Sequence, residues 1–170
     1  MRYSGSFLSR IIGPFSIPCL LLGVIFFVAS LTPSLIPRGP EVQGVLGGLV
    51  MALGYLSARV IALLWGAADL PRLSGRPATL LTVIAAIGTL GLFLWGLGSS
   101  LDWQNNLRLK MGMEPSEALH LAQIIALASL TFAAAYAFGR LIALFFRLVR
   151  SAFYRVMPPR RANVLGLLFA

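Results

Sequence analysis

Four apolar runs constrain this chain more than any other feature of its sequence. They cover about residues 11–31, 43–65, 78–97 and 119–149 of 170. A hydrocarbon core of ~30 Å takes ~20 helical residues, whereas a membrane-spanning β-strand takes only ~9–11. Inside that core, backbone polar groups are satisfied only in helices and closed barrels. The runs have helix length, so the expected fold is all-α: a polytopic membrane helix bundle with four full transmembrane helices. Composition agrees, with 58% hydrophobic and 11% charged residues, where soluble domains carry ~25% charged. So apolar a chain is not intrinsically disordered, and a single cysteine, Cys19, builds no disulfide framework.

Prolines punctuate the runs. Pro14 and Pro18 fall in the first turns of the first run, and Pro33 closes it. Pro77 suits the first position of the third helix, and Pro115 with Ser116 precede the fourth. The fourth run exceeds a perpendicular span, so it is expected to tilt or extend into water. A further run, ANVLGLLFA, begins at Ala162 and reaches Ala170. It is too short to cross the bilayer at ~1.5 Å per residue. The expectation is the start of a fifth helix in a chain cut short, with residues 1–170 forming a single transmembrane domain and no soluble catalytic domain.

Net charge is +9, from 14 Lys and Arg against 5 Asp and Glu. Such a charge suggests nucleic acid in a soluble protein, but here the basic residues lie mostly between apolar runs, so no nucleic-acid partner is expected. Alternating the connecting segments puts Arg2, Arg10, Arg72, Arg76, Arg147, Arg150, Arg155, Arg160 and Arg161 on one side. Only Arg38, Arg108 and Lys110 fall on the other. Lys and Arg stay cytoplasmic, which predicts a multi-pass protein of the bacterial cytoplasmic (inner) membrane with its N-terminus inside.

Gly44, Gly48 and Ala52 share one face of the second helix, at the spacing that lets helices approach closely in lipid. Packing within the chain is the preferred reading over a homodimer seam, and the sequence does not fix the oligomeric state. Arg59 and Arg140 are the charges inside apolar runs. They lie in similar segments, GYLSARVIALLW at 54–65 and AYAFGRLIALFF at 135–146, which suggest two parallel hairpin repeats. Each arginine lies about six residues before the end of its segment, ~9 Å at 1.5 Å per residue. Two readings stand: the side chains snorkel to the interface, or they hold a lipid headgroup or other anion between helices.

The first outer loop, around Thr32, Pro33, Ser34, Pro37 and Arg38, is stiffened by its prolines. It is either a rigid hairpin or a docking element. The second carries Trp103, Arg108 and Lys110 over residues 99–113 and is expected to form a short interfacial helix.

Catalytic motifs are missing. There is no G-x-S-x-G, and one His with one Cys builds no zinc site. Ser116, Glu117 and His120 are neighbours in sequence, which does not make a triad. No metal, cofactor or catalytic activity is expected of this chain.

The segment SLTPSLIPRGPEVQGVLGG at 30–48 resembles the entry motif of the N-terminal transmembrane domain in a family of bacterial membrane-bound alpha/beta-hydrolases. In that pattern S-L-T-P-S-L-x-P-R is followed by Q-G, here Gln43-Gly44, and by a G-Y pair, here Gly54-Tyr55. The W-Q-x-x-L-R-x-x-M-G segment at 103–112 and Pro159-Arg160-Arg161 are similar to it as well. The resemblance implies a non-catalytic membrane anchor, with a serine hydrolase domain as partner in cis or trans beside the lipid bilayer. The other reading from the residues alone is a small transporter or channel subunit with an anion or lipid-headgroup site at Arg59 and Arg140.

Overall fold

The computed structural model describes residues 15–32, 39–71, 73–112, 114 and 118–156. Those residues form four helices: α1 (Ile17–Ser30), α2 (Pro40–Ala67), α3 (Arg76–Lys110) and α4 (Ala118–Val156), with no strand among them. Three segments are long and apolar enough to cross a membrane: Pro40–Ala67, Arg76–Lys110 and His120–Val149 within α4. Their outward side chains include Leu53, Ile61, Ile84, Ile87, Leu94 and Phe138, all exposed. An apolar exterior of this kind is suited to lipid.

Boundaries follow local chemistry. α1 starts at Ile17, later than the sequence suggests: Ser16 is extended, and Pro18 occupies the first turn, where a missing backbone donor costs least. Its 14 residues rise ~21 Å at 1.5 Å each, short of the full span expected of the first run. The expected residues 11–14 lie outside the described ones, as does the expected fifth helix from 162. α2 begins at Pro40, ahead of the expected 43, because proline is pre-set for the first helical turn. After α2, Asp69 takes φ +48°, a left-handed turn that Asp tolerates. α4 runs beyond 149 to Val156, since no proline interrupts it.

The separate interfacial helix expected over 99–113 is corrected here. That segment is helical, but it is the uninterrupted end of α3. No proline falls between Gly96 and Met111, and a drop in hydropathy alone does not end a helix. Termination comes at Gly112, whose φ of +71° supplies the left-handed stop.

Two compact units are formed, residues 16–135 and residues 15 plus 136–156 among those described. In the larger unit, glycines set the contacts. A Cβ on Gly54 would lie 2.8 Å from Phe26 Cβ and 3.0 Å from Gly23 Cα, so α1 and α2 cross there almost backbone to backbone. One on Gly44 would meet Leu127 Cβ at 2.6 Å, and one on Gly48 would meet Ala128 O at 2.5 Å, so α2 also lies against α4. Gly96 of α3 receives Val28 of α1. Where these helices converge, Phe27, Val28, Leu31, Ile124 and Ala128 form a buried apolar cluster, flanked by Met51, Phe93, Leu97 and Leu121. In the smaller unit, Phe15 and Tyr136 pack edge to face at 5.7 Å.

Candidate functional site

The described part of the first loop motif is its two ends. Thr32 is exposed, and its hydroxyl donates to Ala29 O at 2.8 Å. Pro33, Ser34, Pro37 and Arg38 lie outside the described residues. Past the loop, Gln43 is buried, and its Nε2 donates to Ser30 O at 2.8 Å. Ser30 Oγ in turn donates to Phe27 O at 2.6 Å. This chain of bonds ties the start of α2 to the end of α1 on either side of the loop. The carbonyls at the end of a helix have no partner within it, so an amide donor there has a direct structural use.

The Gly54-Tyr55 pair is a second lock between the same helices. Gly54 admits Phe26, while Tyr55 Oη accepts the Ser16 backbone N–H at 3.2 Å. Tyr55 also packs edge to face on Phe132 at 5.9 Å.

At the end of α3, Trp103 is half-buried and meets Trp95 edge to face at 6.1 Å. Arg108 Nη1 donates to Glu114 O at 3.5 Å, and Lys110 is exposed. Three buried polar atoms here, Ser100 Oγ, Arg108 Nε and His120 Nδ1, have no hydrogen-bond partner among the described residues. Ser116 and Glu117, the sequence neighbours of His120, lie outside them.

Arg59 is half-buried on α2 in the larger unit, and Arg140 is exposed on α4 in the smaller one. Both are engaged by other groups of the chain. Ala52 is half-buried, beyond the turn where Gly48 touches α4. At the opposite end of α2, Trp65 Nε1 donates to Pro71 O at 3.1 Å and closes the short connection to α3. No group of three His, Cys, Asp or Glu side chains is placed to hold a metal among the described residues.

Residues 31–170, which include α2, α3 and α4, match the family model described as the alpha/beta-hydrolase family N-terminus. This chain belongs to that family. No curated protein and no solved structure matches it. In this chain the described residues of that region form helices, three segments of which are long and apolar enough to cross a membrane. The chain's two locks, Gln43 on Ser30 and Tyr55 on Ser16, use residues whose motif membership is their main sequence signal of a role. A buried glutamine inside an apolar run was the available signal, because an uncharged polar group in hydrocarbon needs a partner.

Proposed function

We propose that this chain is a non-catalytic membrane domain that anchors and orients an alpha/beta-hydrolase at the bilayer. The observation that carries the reading is the coincidence of the family match with the three membrane-length helices. A hydrolase of this fold needs a sheet to present its nucleophile on a strand-to-helix turn, and the described residues are helical throughout their ordered elements. The chain supplies spans, tight helix contacts and interfacial aromatics instead.

Orientation follows from the basic residues. Arg76 opens α3, and Arg147, Arg150 and Arg155 fall in the last turns of α4. Those ends face the cytoplasm under the positive-inside rule, with the α3–α4 connection on the outer side of a bacterial inner membrane.

The test is fractionation of the chain fused to a soluble fluorescent reporter after Ala170. The reporter is expected in the membrane pellet and resistant to alkaline carbonate. Release by carbonate would overturn the anchoring role.

A further inference from the structure

We propose that the arginine-rich inner end of α4, at Arg147, Arg150 and Arg155, is a docking surface for anionic phospholipid headgroups. The starting observation is a segregation of charge. All five acidic residues of the chain, Glu41, Asp69, Asp102, Glu114 and Glu117, fall within residues 16–135, where six Lys and Arg nearly balance them. The described part of the smaller unit, residue 15 with residues 136–156, holds four Arg and no Asp or Glu. No acidic residue follows Glu117 in the sequence. Carboxylates contribute little to the positive-inside rule, so topology alone does not call for their exclusion.

Helical register gathers the charges on one side. At 3.6 residues per turn, Arg140, Arg147, Arg150 and Arg155 of α4 fall within an arc of about 140°. Phe138, Leu141 and Phe145 fall outside that arc, and all three are exposed. Arg147 is exposed too. Arg147 and Arg150, three residues apart, are neighbours on the helix surface, where like charges repel. The helix dipole favours cations only in the last turn. Arg155 occupies that turn, and Arg147 and Arg150 lie further back. Cations that repel one another, with no acidic side chain among the described residues of their unit, are complementary to an anionic surface.

Depth along the helix, with α4 taken as a membrane span under the proposed function, identifies that surface. The apolar segment His120–Val149 rises ~45 Å, the thickness of a bilayer with its headgroups. With His120 at the outer headgroups, Arg147 and Arg150 reach the inner ones. Arg155 stands ~8 Å past Arg150, within a Debye length of them. The exposed Leu141 and Phe145 on the same stretch suit hydrocarbon, which a lipid supplies and a nucleic acid does not. Basic residues beside a span attract anionic lipid by a factor of about five in affinity each.

The test places a bimane fluorophore on Ser151→Cys, an exposed position one turn after Arg147, in a Cys19→Ser background. The full chain is reconstituted in phosphatidylcholine vesicles, with a small fixed fraction of the lipid supplied as brominated phosphatidylglycerol or brominated phosphatidylcholine. Phosphatidylglycerol should quench more strongly at equal mole fraction, and added salt should narrow the gap. Arg147→Gln with Arg150→Gln should lower the preference for phosphatidylglycerol at least about fivefold, while Arg147→Lys with Arg150→Lys keeps it. Arg108→Gln with Lys110→Gln removes as much charge from the far end of α3 and should leave the preference unchanged. Equal quenching by the two lipids would overturn the proposal, as would an equal loss from the Arg108 and Lys110 substitutions. Displacement of phosphatidylglycerol by a DNA oligonucleotide would assign the arginines to nucleic acid and overturn it as well. Release of the protein from the vesicles by alkaline carbonate would overturn the span and this proposal with it, whereas equal quenching in carbonate-resistant vesicles overturns the proposal alone.

Discussion

Gln43 and Ser30 are 13 residues apart in the chain, yet the Gln43 side-chain amide donates to the Ser30 carbonyl at 2.8 Å. The bond joins the end of α1 to the start of α2 and fixes where the intervening loop leaves and returns. Replacing Gln43 with Leu keeps the bulk but strands the Ser30 carbonyl. Stability should fall by about 1–3 kcal/mol, the penalty for a buried group left unpaired. Unfolding of purified protein in mixed micelles measures it, and an unchanged midpoint would mean that the bond is not needed.

Glycines that touch a neighbouring helix should respond oppositely to those that do not. A Cβ on Gly48 would lie 2.5 Å from the Ala128 carbonyl oxygen, a backbone atom that has little room to move. Gly48→Ala should therefore destabilise by about 1–3 kcal/mol, as overpacking does. Gly88 and Gly91 on α3 meet nothing within 4 Å. Alanine there should be neutral or stabilising by up to ~1 kcal/mol, from helix propensity alone. Denaturant titration of the three variants side by side gives the comparison.

Tyr55 carries a hydrogen bond and a ring contact that can be separated. Tyr55→Phe removes the acceptor for the Ser16 N–H and keeps the edge-to-face packing on Phe132. A loss of about 0.5–1.5 kcal/mol is expected. Tyr55→Ala should cost more, about 3–5 kcal/mol, as removal of a buried aromatic does. Equal losses from the two variants would show that the ring contributes nothing.

Arg59 and Arg140 hold matching places in the sequence but differ in exposure: Arg59 is half-buried, Arg140 exposed. We expect Arg140 to act as a snorkelling charge at the headgroup level, a task that lysine also performs. Arg140→Lys should then change stability by less than ~0.5 kcal/mol. Arg59→Lys should cost more, about 1–2 kcal/mol, because a packed guanidinium is not replaced by an ammonium. The reverse order, measured by unfolding in lipid nanodiscs, would favour an anion site built around Arg140.

Much of this architecture can be read from residue types. Apolar runs of helix length locate α2 and the start of α4 closely, and the spacing of Gly44 and Gly48 by itself marks a close helix contact. The sequence falls short where a boundary depends on backbone conformation and not on hydropathy. Polarity rises after Leu97, yet α3 continues to Lys110 until Gly112 turns left-handed. Pro18 and Ser16 start α1 well inside its apolar run for the same kind of reason. The locks at Gln43 and Tyr55 were hidden because their partners are backbone atoms of Ser30 and Ser16, and a main-chain acceptor or donor leaves no mark in the sequence. Likewise, nothing in the residue type of Ser100 distinguishes it from Ser57, whose hydroxyl is satisfied within its own helix.

The central claim is that α3 crosses the membrane with its Arg76 end inside. Two exposed positions flank it, Ser74 before the helix and Glu114 after it. With Cys19→Ser removing the only native thiol, Ser74→Cys and Glu114→Cys can each be exposed to a membrane-impermeant maleimide on intact bacterial cells. Labelling of the Glu114→Cys protein in intact cells is predicted, with labelling of Ser74→Cys only after permeabilisation. Labelling of both in intact cells, or of neither, would contradict a spanning α3, and the inverse pattern would contradict its orientation.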